Sequence, residues 1–178
     1  PNITQVTLVS NATFDVASAG GWTVGTGKTL GGIGAVSGTL TLSTGGTLSP
    51  GTSPGTLGVF GTLALTGGAA LNLQNGPYAL AQGLAFAGTG SFGVSGAATI
   101  NGPMPGPNFV LTGALLGTMT VTGTLNWTGG SMQNATTTIA SNGVLNISGT
   151  SDKYLLNHTL SNSGTVNWTG GDLYATGA

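Results

Sequence analysis

Gly123-Thr124-Leu125-Asn126-Trp127-Thr128-Gly129-Gly130 returns as Gly143-Val144-Leu145-Asn146-Ile147-Ser148-Gly149-Thr150. It returns again as Gly164-Thr165-Val166-Asn167-Trp168-Thr169-Gly170-Gly171. The spacings are 143 − 123 = 20 and 164 − 143 = 21 residues. Inside each copy apolar residues alternate with polar ones, which is the period of a β-strand. A strand-type unit repeated at a near-constant interval of this length is the signature of a solenoid. The copies therefore predict stacked coils with equivalent residues in columns along the axis. Leu125, Leu145 and Val166 form one apolar column, and Trp127, Ile147 and Trp168 a second. Asn126, Asn146 and Asn167 form a column of amides able to hydrogen-bond to one another. Trp127 and Trp168 share the parity of Leu125 and Val166, which places both indoles inward.

The same alternation extends outward from these copies. Val6/Leu8, Leu40/Leu42, Leu63/Leu65 and Leu71/Leu73 repeat it, and Gly pairs such as Gly45-Gly46, Gly67-Gly68 and Gly170-Gly171 bound the strands. Glycine suits sharp corners because it adopts positive φ without a Cβ clash. Gly38-Thr39-Leu40-Thr41-Leu42 recurs as Gly61-Thr62-Leu63-Ala64-Leu65, 61 − 38 = 23 residues on. No window reads as an amphipathic helix, because Gly, Thr, Ser and Asn interrupt every one. The expectation is an all-β chain, a right-handed parallel β-helix with coils of about 20 residues. Three stretches follow along one continuous solenoid. Residues 1–74 and 109–178 are coils, and 75–108 is an irregular stretch of Pro/Gly-containing coils or a side loop. Gly102-Pro103-Met104-Pro105-Gly106-Pro107 cannot form a central strand. Pro50 and Pro54, within 47–57, mark a fixed corner.

Composition narrows the function. Only 3% of the 178 residues are charged, against about 25% in an ordinary domain. The ionic inventory is Lys28, Lys153, Asp15, Asp152, Asp172 and His158. Disorder is disfavoured, since hydrophobic residues make up 39% of the chain and the net charge is −1. Without cysteine there is neither a disulfide framework nor a thiolate metal site. With two lysines and no arginine, nucleic-acid binding by charge is not expected. No apolar run is long enough for a membrane-spanning helix, so no membrane insertion is expected in this segment. A weakly charged β-rich surface favours association. The chain begins at Pro1 and ends partway into a repeat, which reads as a piece of something longer.

Catalysis finds little to build on. A glycoside hydrolase needs two suitably spaced carboxylates. Asp152 and Asp172 lie one repeat apart and would stack at one corner, where they read as solvated turn residues. His158 reads as a surface histidine without a nucleophile or orienting acid. Gly170-Gly171-Asp172 is a lone fragment of a calcium-binding roll motif. No catalytic residue, cofactor or metal ligand is therefore assigned. Asn-x-Ser/Thr sequons begin at Asn2, Asn11, Asn126, Asn134, Asn146, Asn157 and Asn167, as alternating Asn and Thr produce by chance. Threonine runs such as Thr39/Thr41 and Thr136/Thr137/Thr138 raise ice binding. Their failure to hold register through 75–108 counts against it.

Thr47-Leu48-Ser49-Pro50-Gly51-Thr52-Ser53-Pro54-Gly55-Thr56-Leu57 with Gly61-Thr62-Leu63-Ala64-Leu65-Thr66-Gly67-Gly68 resembles the repeat of bacterial autotransporter passenger domains. The segment from Gly123 to Gly171 is similar to repeats of filamentous-haemagglutinin-type adhesins. The resemblance implies a parallel β-helix on a bacterial surface, serving adhesion or fibre formation, with no autotransporter membrane barrel in this chain. The resulting expectation is an extracellular structural or adhesive element that builds a fibre by end-to-end strand stacking. Its partner is itself, as a head-to-tail homopolymer or through further repeats, with end contacts at Asn2–Val16 and Val166–Tyr174. The alternative is a carbohydrate-binding module that meets surface glycans through Tyr154, Tyr174 and Trp168. A polysaccharide-active enzyme ranks below both.

Overall fold

The computed structural model describes residues 3–50, 58–74, 78–80, 85–104 and 108–177. The Pro54 corner, Asn2, Pro77, Pro105 and Pro107 lie outside the described residues. Within the described residues every paired strand runs parallel to its neighbours and no helix occurs. The chain is a β-solenoid. Two compact units divide it, Pro1–Ala70 with Gly83–Gly90, and Leu71–Gln82 with Ser91–Ala178.

The first unit carries two sheets. One orders Gln5–Leu8, Thr29–Gly32 and Thr47–Pro50. The other is centred on the eight-residue strand Ala35–Leu42, which pairs along its whole length with Gly58–Leu65. On its opposite edge Ala35–Leu42 receives two short strands, Thr13–Asp15 and Trp22–Val24. The phenyl ring of Phe14 meets the Trp22 indole edge-on at 5.2 Å. Gly38 is the bend between the two halves. Its φ is +100°, and a Cβ there would stand 2.7 Å from the Ala17 nitrogen. The sequence repeat at Gly38 and Gly61 is thus a register pair, Gly38 opposite Gly61 and Leu40 opposite Leu63.

In the second unit successive coils each contribute strands to three parallel sheets. The first sheet runs through Ala70–Leu73, Ser91–Val94, Phe109–Leu111, Thr124–Trp127, Val144–Ile147 and Thr165–Trp168. The second runs through Tyr78–Ala79, Ala97–Thr99, Ala114–Leu116, Gly130–Gln133, Lys153–Leu156 and Leu173–Thr176. The third runs through Gly102–Met104, Met119–Val121, Thr136–Ile139 and Thr159–Asn162. We name them the amide, tyrosine and threonine sheets after their outward residues. Gly102–Met104 ends the threonine sheet, so Pro103 occupies an edge strand, where its missing N–H is tolerated. Much of 75–108 is therefore strand within the coils.

The columns are built as apolar stacks. Leu125 faces Leu145, and Leu145 faces Val166; Trp127 faces Ile147, and Ile147 faces Trp168. Leu125, Trp127 and Leu145 are completely buried and Ile147 nearly so. Below them the rings of Phe92 and Phe109 meet at 5.2 Å, tilted by 43°, in the same column. Trp127 pairs its large buried surface with an indole N–H that has no hydrogen-bond partner. Its contribution is packing, on the order of 3–5 kcal/mol if truncated to Ala.

One cation is enclosed. Lys153 lies in the inward column between Gly130 and Leu173 and is fully buried. Its ammonium donates to the carbonyls of Ser151 (2.8 Å) and Gly170 (3.1 Å), tying one corner to the next.

The amide column makes a hydrogen-bonded ladder. Asn146 Nδ2 donates to Asn126 Oδ1, and Asn167 Nδ2 donates to Asn146 Oδ1, both at 2.9 Å. Asn146 is thus donor and acceptor, while its neighbours each make one bond. At about 1 kcal/mol per bond, Asn146→Ala is expected to lose about 2 kcal/mol and Asn167→Ala about half of that. Urea unfolding of the two variants checks it; equal losses would show that the ladder does not carry this stability.

Candidate functional site

The residues singled out for contact with other molecules gather on the last coils of the second unit. Val166 and Trp168 continue the inward columns, yet they are 37% and 55% exposed. Among the described residues no strand pairs the far side of Thr165–Trp168. The inward placement read from parity describes Trp127 fully. It fails in exposure for Trp168, whose indole Nε1–H bends back to the Gly171 carbonyl at 2.9 Å. Asn167 ends the amide ladder with its own Oδ1 unclaimed.

On the tyrosine sheet Tyr154 pairs with Tyr174 in register, with the smaller Ser131 on the other side. The two rings stack, 5.5 Å apart and 20° from parallel. Both are partly exposed, at 39% and 46%. Asp152 and Asp172 precede the register pair Lys153 and Leu173, so they share one corner one coil apart. Each accepts a long hydrogen bond (3.4 Å) from the tyrosine two residues on. The charges of Asp152 and Asp172, followed by desolvation and the Asp172 hydrogen bond, push the Tyr174 hydroxyl above its ordinary range. Chemically this is a short aromatic platform with acceptors along one rim. The site brings Tyr154 and Tyr174 together; Trp168 belongs to the amide sheet instead.

His158 is corrected by the structure. It is buried, not a surface residue, and its Nε2 lies 3.0 Å from the hydroxyl of the fully buried Thr137. The cause is Asn157, whose φ of +48° turns the chain and resets the alternation so that the next side chain points inward. Asn157 also stacks on Asn134, which has φ +55°, with Nδ2 of Asn157 3.4 Å from Oδ1 of Asn134. This second amide pair at a corner escaped the sequence reading. Its signal is the spacing 157 − 134 = 23 between two Asn residues that each also begin a sequon. Among the described residues no group of three or more His, Asp or Glu side chains converges as a metal site would require.

Two groups make stability depend on pH in separate windows. Burial lowers the His158 pKa below 6.5, against the smaller opposite effect of the Gln133 backbone. The folded state therefore favours neutral imidazole, and its contribution is complete above about 6.5 and declines as pH falls through the lowered value. The Ser37 hydroxyl and the Ala17 N–H both donate to Asp15 Oδ1, at 2.7 and 3.0 Å, and hold its pKa below 3.8. Its contribution is present above 3.8 and is lost only at more acid pH. Thermal unfolding is expected to weaken first below about pH 6.5, and His158→Gln should remove that first step while leaving the acid one. An unchanged pH profile in the variant would assign the step to another group.

The chain matches no family model, no curated protein and no solved structure.

Proposed function

We propose that this β-solenoid is an extracellular structural or adhesive element that builds or extends a bacterial surface fibre through end-to-end stacking of coils. The observation that carries the reading is the state of the last coil. Among the described residues, Thr159–Asn162, Thr165–Trp168 and Leu173–Thr176 each end a sheet, with no strand paired on the outer edge. Such edges are templates for another strand. Beside them stand the exposed Val166 and Trp168 and the open acceptor of Asn167. Gln5–Leu8 likewise ends its sheet. A coil from a second copy, or from further repeats of the same polypeptide, would extend the backbone ladder, the apolar columns and the amide ladder together. A head-to-tail contact of this kind propagates into an open filament. Scarce charge removes the repulsion that would oppose it.

The placement on a bacterial surface rests on the sequence resemblance to autotransporter passengers and filamentous adhesins. The reading is non-enzymatic: Asp152 and Asp172 take tyrosine hydroxyls, and His158 is buried against Thr137. The stacked Tyr154–Tyr174 pair favours one second reading, a carbohydrate-binding module. Aromatic faces with adjacent acceptors suit the apolar face and hydroxyls of a sugar ring.

Electron microscopy and sedimentation over a range of concentrations test the first reading. Filaments with an axial repeat of about 4.8 Å are expected, and Trp168→Asp should return the protein to single particles. Discrete particles at every concentration, unchanged by Trp168→Asp, would refute end stacking. Binding to a glycan panel that disappears in Tyr154→Ala would then establish the second reading.

A further inference from the structure

We infer that the threonine sheet of the second unit is an ice-binding face. Its outward positions form a grid. Thr120 faces Thr138, and Thr138 faces Ser161. One column away, Thr136 faces Thr159, and Thr118 occupies the preceding coil one residue before Met119, which faces Thr137. Each coil thus presents a hydroxyl-x-hydroxyl pair: Thr118/Thr120, Thr136/Thr138 and Thr159/Ser161. The residues between them, Met119, Thr137 and Leu160, point the other way; Met119 and Thr137 are buried. The tripeptide Thr136-Thr137-Thr138 is therefore two surface hydroxyls flanking one core hydroxyl. The core one is held by His158.

The grid spacings follow from sheet geometry. Neighbouring coils are about 4.8 Å apart, and alternate residues on one strand are roughly 6.6 Å apart. Both lengths are of the order of the oxygen repeats on faces of hexagonal ice. Parallel in-register pairing keeps the spacing constant across three successive coils. Pro103 stands in the Thr120 column of the preceding coil and bounds the array there. The break in register through 75–108 therefore limits the face without disturbing it.

What the hydroxyls do is a second and independent observation. None of the six hydroxyls has a hydrogen-bond partner among the described residues. Some hydroxyls elsewhere are engaged: Thr112 and Thr169 turn back onto the carbonyls of Val94 and Ile147, Thr26 onto that of Thr44, and Ser37 onto Asp15. The amide column consumes its own donors along the axis. Among the described residues of this unit, the threonine sheet offers a regular set of unbonded hydroxyls. Five of the six positions add a methyl group, against which water orders without being bound. No ionised side chain stands on these positions. An uncharged, two-dimensional array recognises a ligand that is itself uncharged and periodic in two dimensions. Ice fits that description, and aromatic platforms of the kind expected for a sugar surface are absent from these six positions.

The inference is independent of the fibre reading, since it uses a side of the coils and not their ends. The test is incorporation of the full 178-residue chain into slowly grown ice, together with the shape of ice crystals in its presence. Incorporation and faceted growth are expected. Thr138→Tyr, at the centre of the grid, and Thr120→Lys should each reduce incorporation to that of an inert protein. Ser148→Tyr, just past the amide-sheet strand Val144–Ile147, should leave it intact. Circular dichroism shows which variants are folded, and one folded grid variant is sufficient. Exclusion of the native chain from ice, or full incorporation of a folded grid variant, would overturn the inference. So would binding to crystalline cellulose or chitin that Thr138→Tyr abolishes, without ice incorporation, since the face would then read a carbohydrate crystal.

Discussion

Parallel in-register pairing between coils is the constraint on which the rest of this structure depends. Each residue meets the residue one coil away at about 4.8 Å, so a column admits only side chains that tolerate their own kind. Leucine on leucine passes, as Leu125 on Leu145 shows. Asparagine on asparagine passes because an amide carries both donor and acceptor, and the Asn126–Asn146–Asn167 ladder uses both. Like charges fail, since directly opposed ones repel in a sheet and the repulsion would recur at every coil. This accounts for a chain with so few ionised groups. Asp152 above Asp172 is the exception, and each carboxylate is attended by a tyrosine hydroxyl.

Coil length is free to vary because register is kept within the strands and adjusted at the corners. Phe109 faces Leu125 after 16 residues, whereas Leu145 faces Val166 after 21. Residues at positive φ stand at the corners of these coils, Gly117 in the shorter and Gly149 and Asn157 in the longer. A corner also decides which parity points inward on the next strand. Gly171 shows the tightness of such a place: a Cβ there would collide with the Lys153 ammonium that bonds two neighbouring carbonyls. The lysine can be buried because its charge meets backbone oxygens, which are supplied at every corner.

The alternation within a strand was legible because three copies of one phrase lie in a row. Their alignment puts Leu125, Leu145 and Val166 together without any structural knowledge, and the Gly38/Gly61 repeat does the same in the first unit. The corners were not legible. His158 looked exposed because nothing in Leu156-Asn157-His158 announces that Asn157 takes a left-handed conformation. Thr136, Thr137 and Thr138 looked equivalent because a run of one residue type hides its own alternation. Trp168 shows the opposite limit. Its parity was legible, but exposure depends on whether another coil lies beyond it.

The three sheets of the second unit share one core yet present different chemistry. Inward positions are fixed by packing, so outward positions are free to specialise as mutually bonded amides, stacked tyrosines with carboxylates, or unbonded hydroxyls. Because register propagates a choice along the axis, one side chain repeated over a few coils becomes a surface with a period. A lone exposed threonine has no such period and orders nothing beyond its own hydration. The same axial repetition that leaves open edges at a last coil therefore also makes its sides into regular arrays. Ends and sides can carry separate functions because the outward columns differ: the amides bond along the axis toward the next coil edge, whereas the unbonded hydroxyls face away from it.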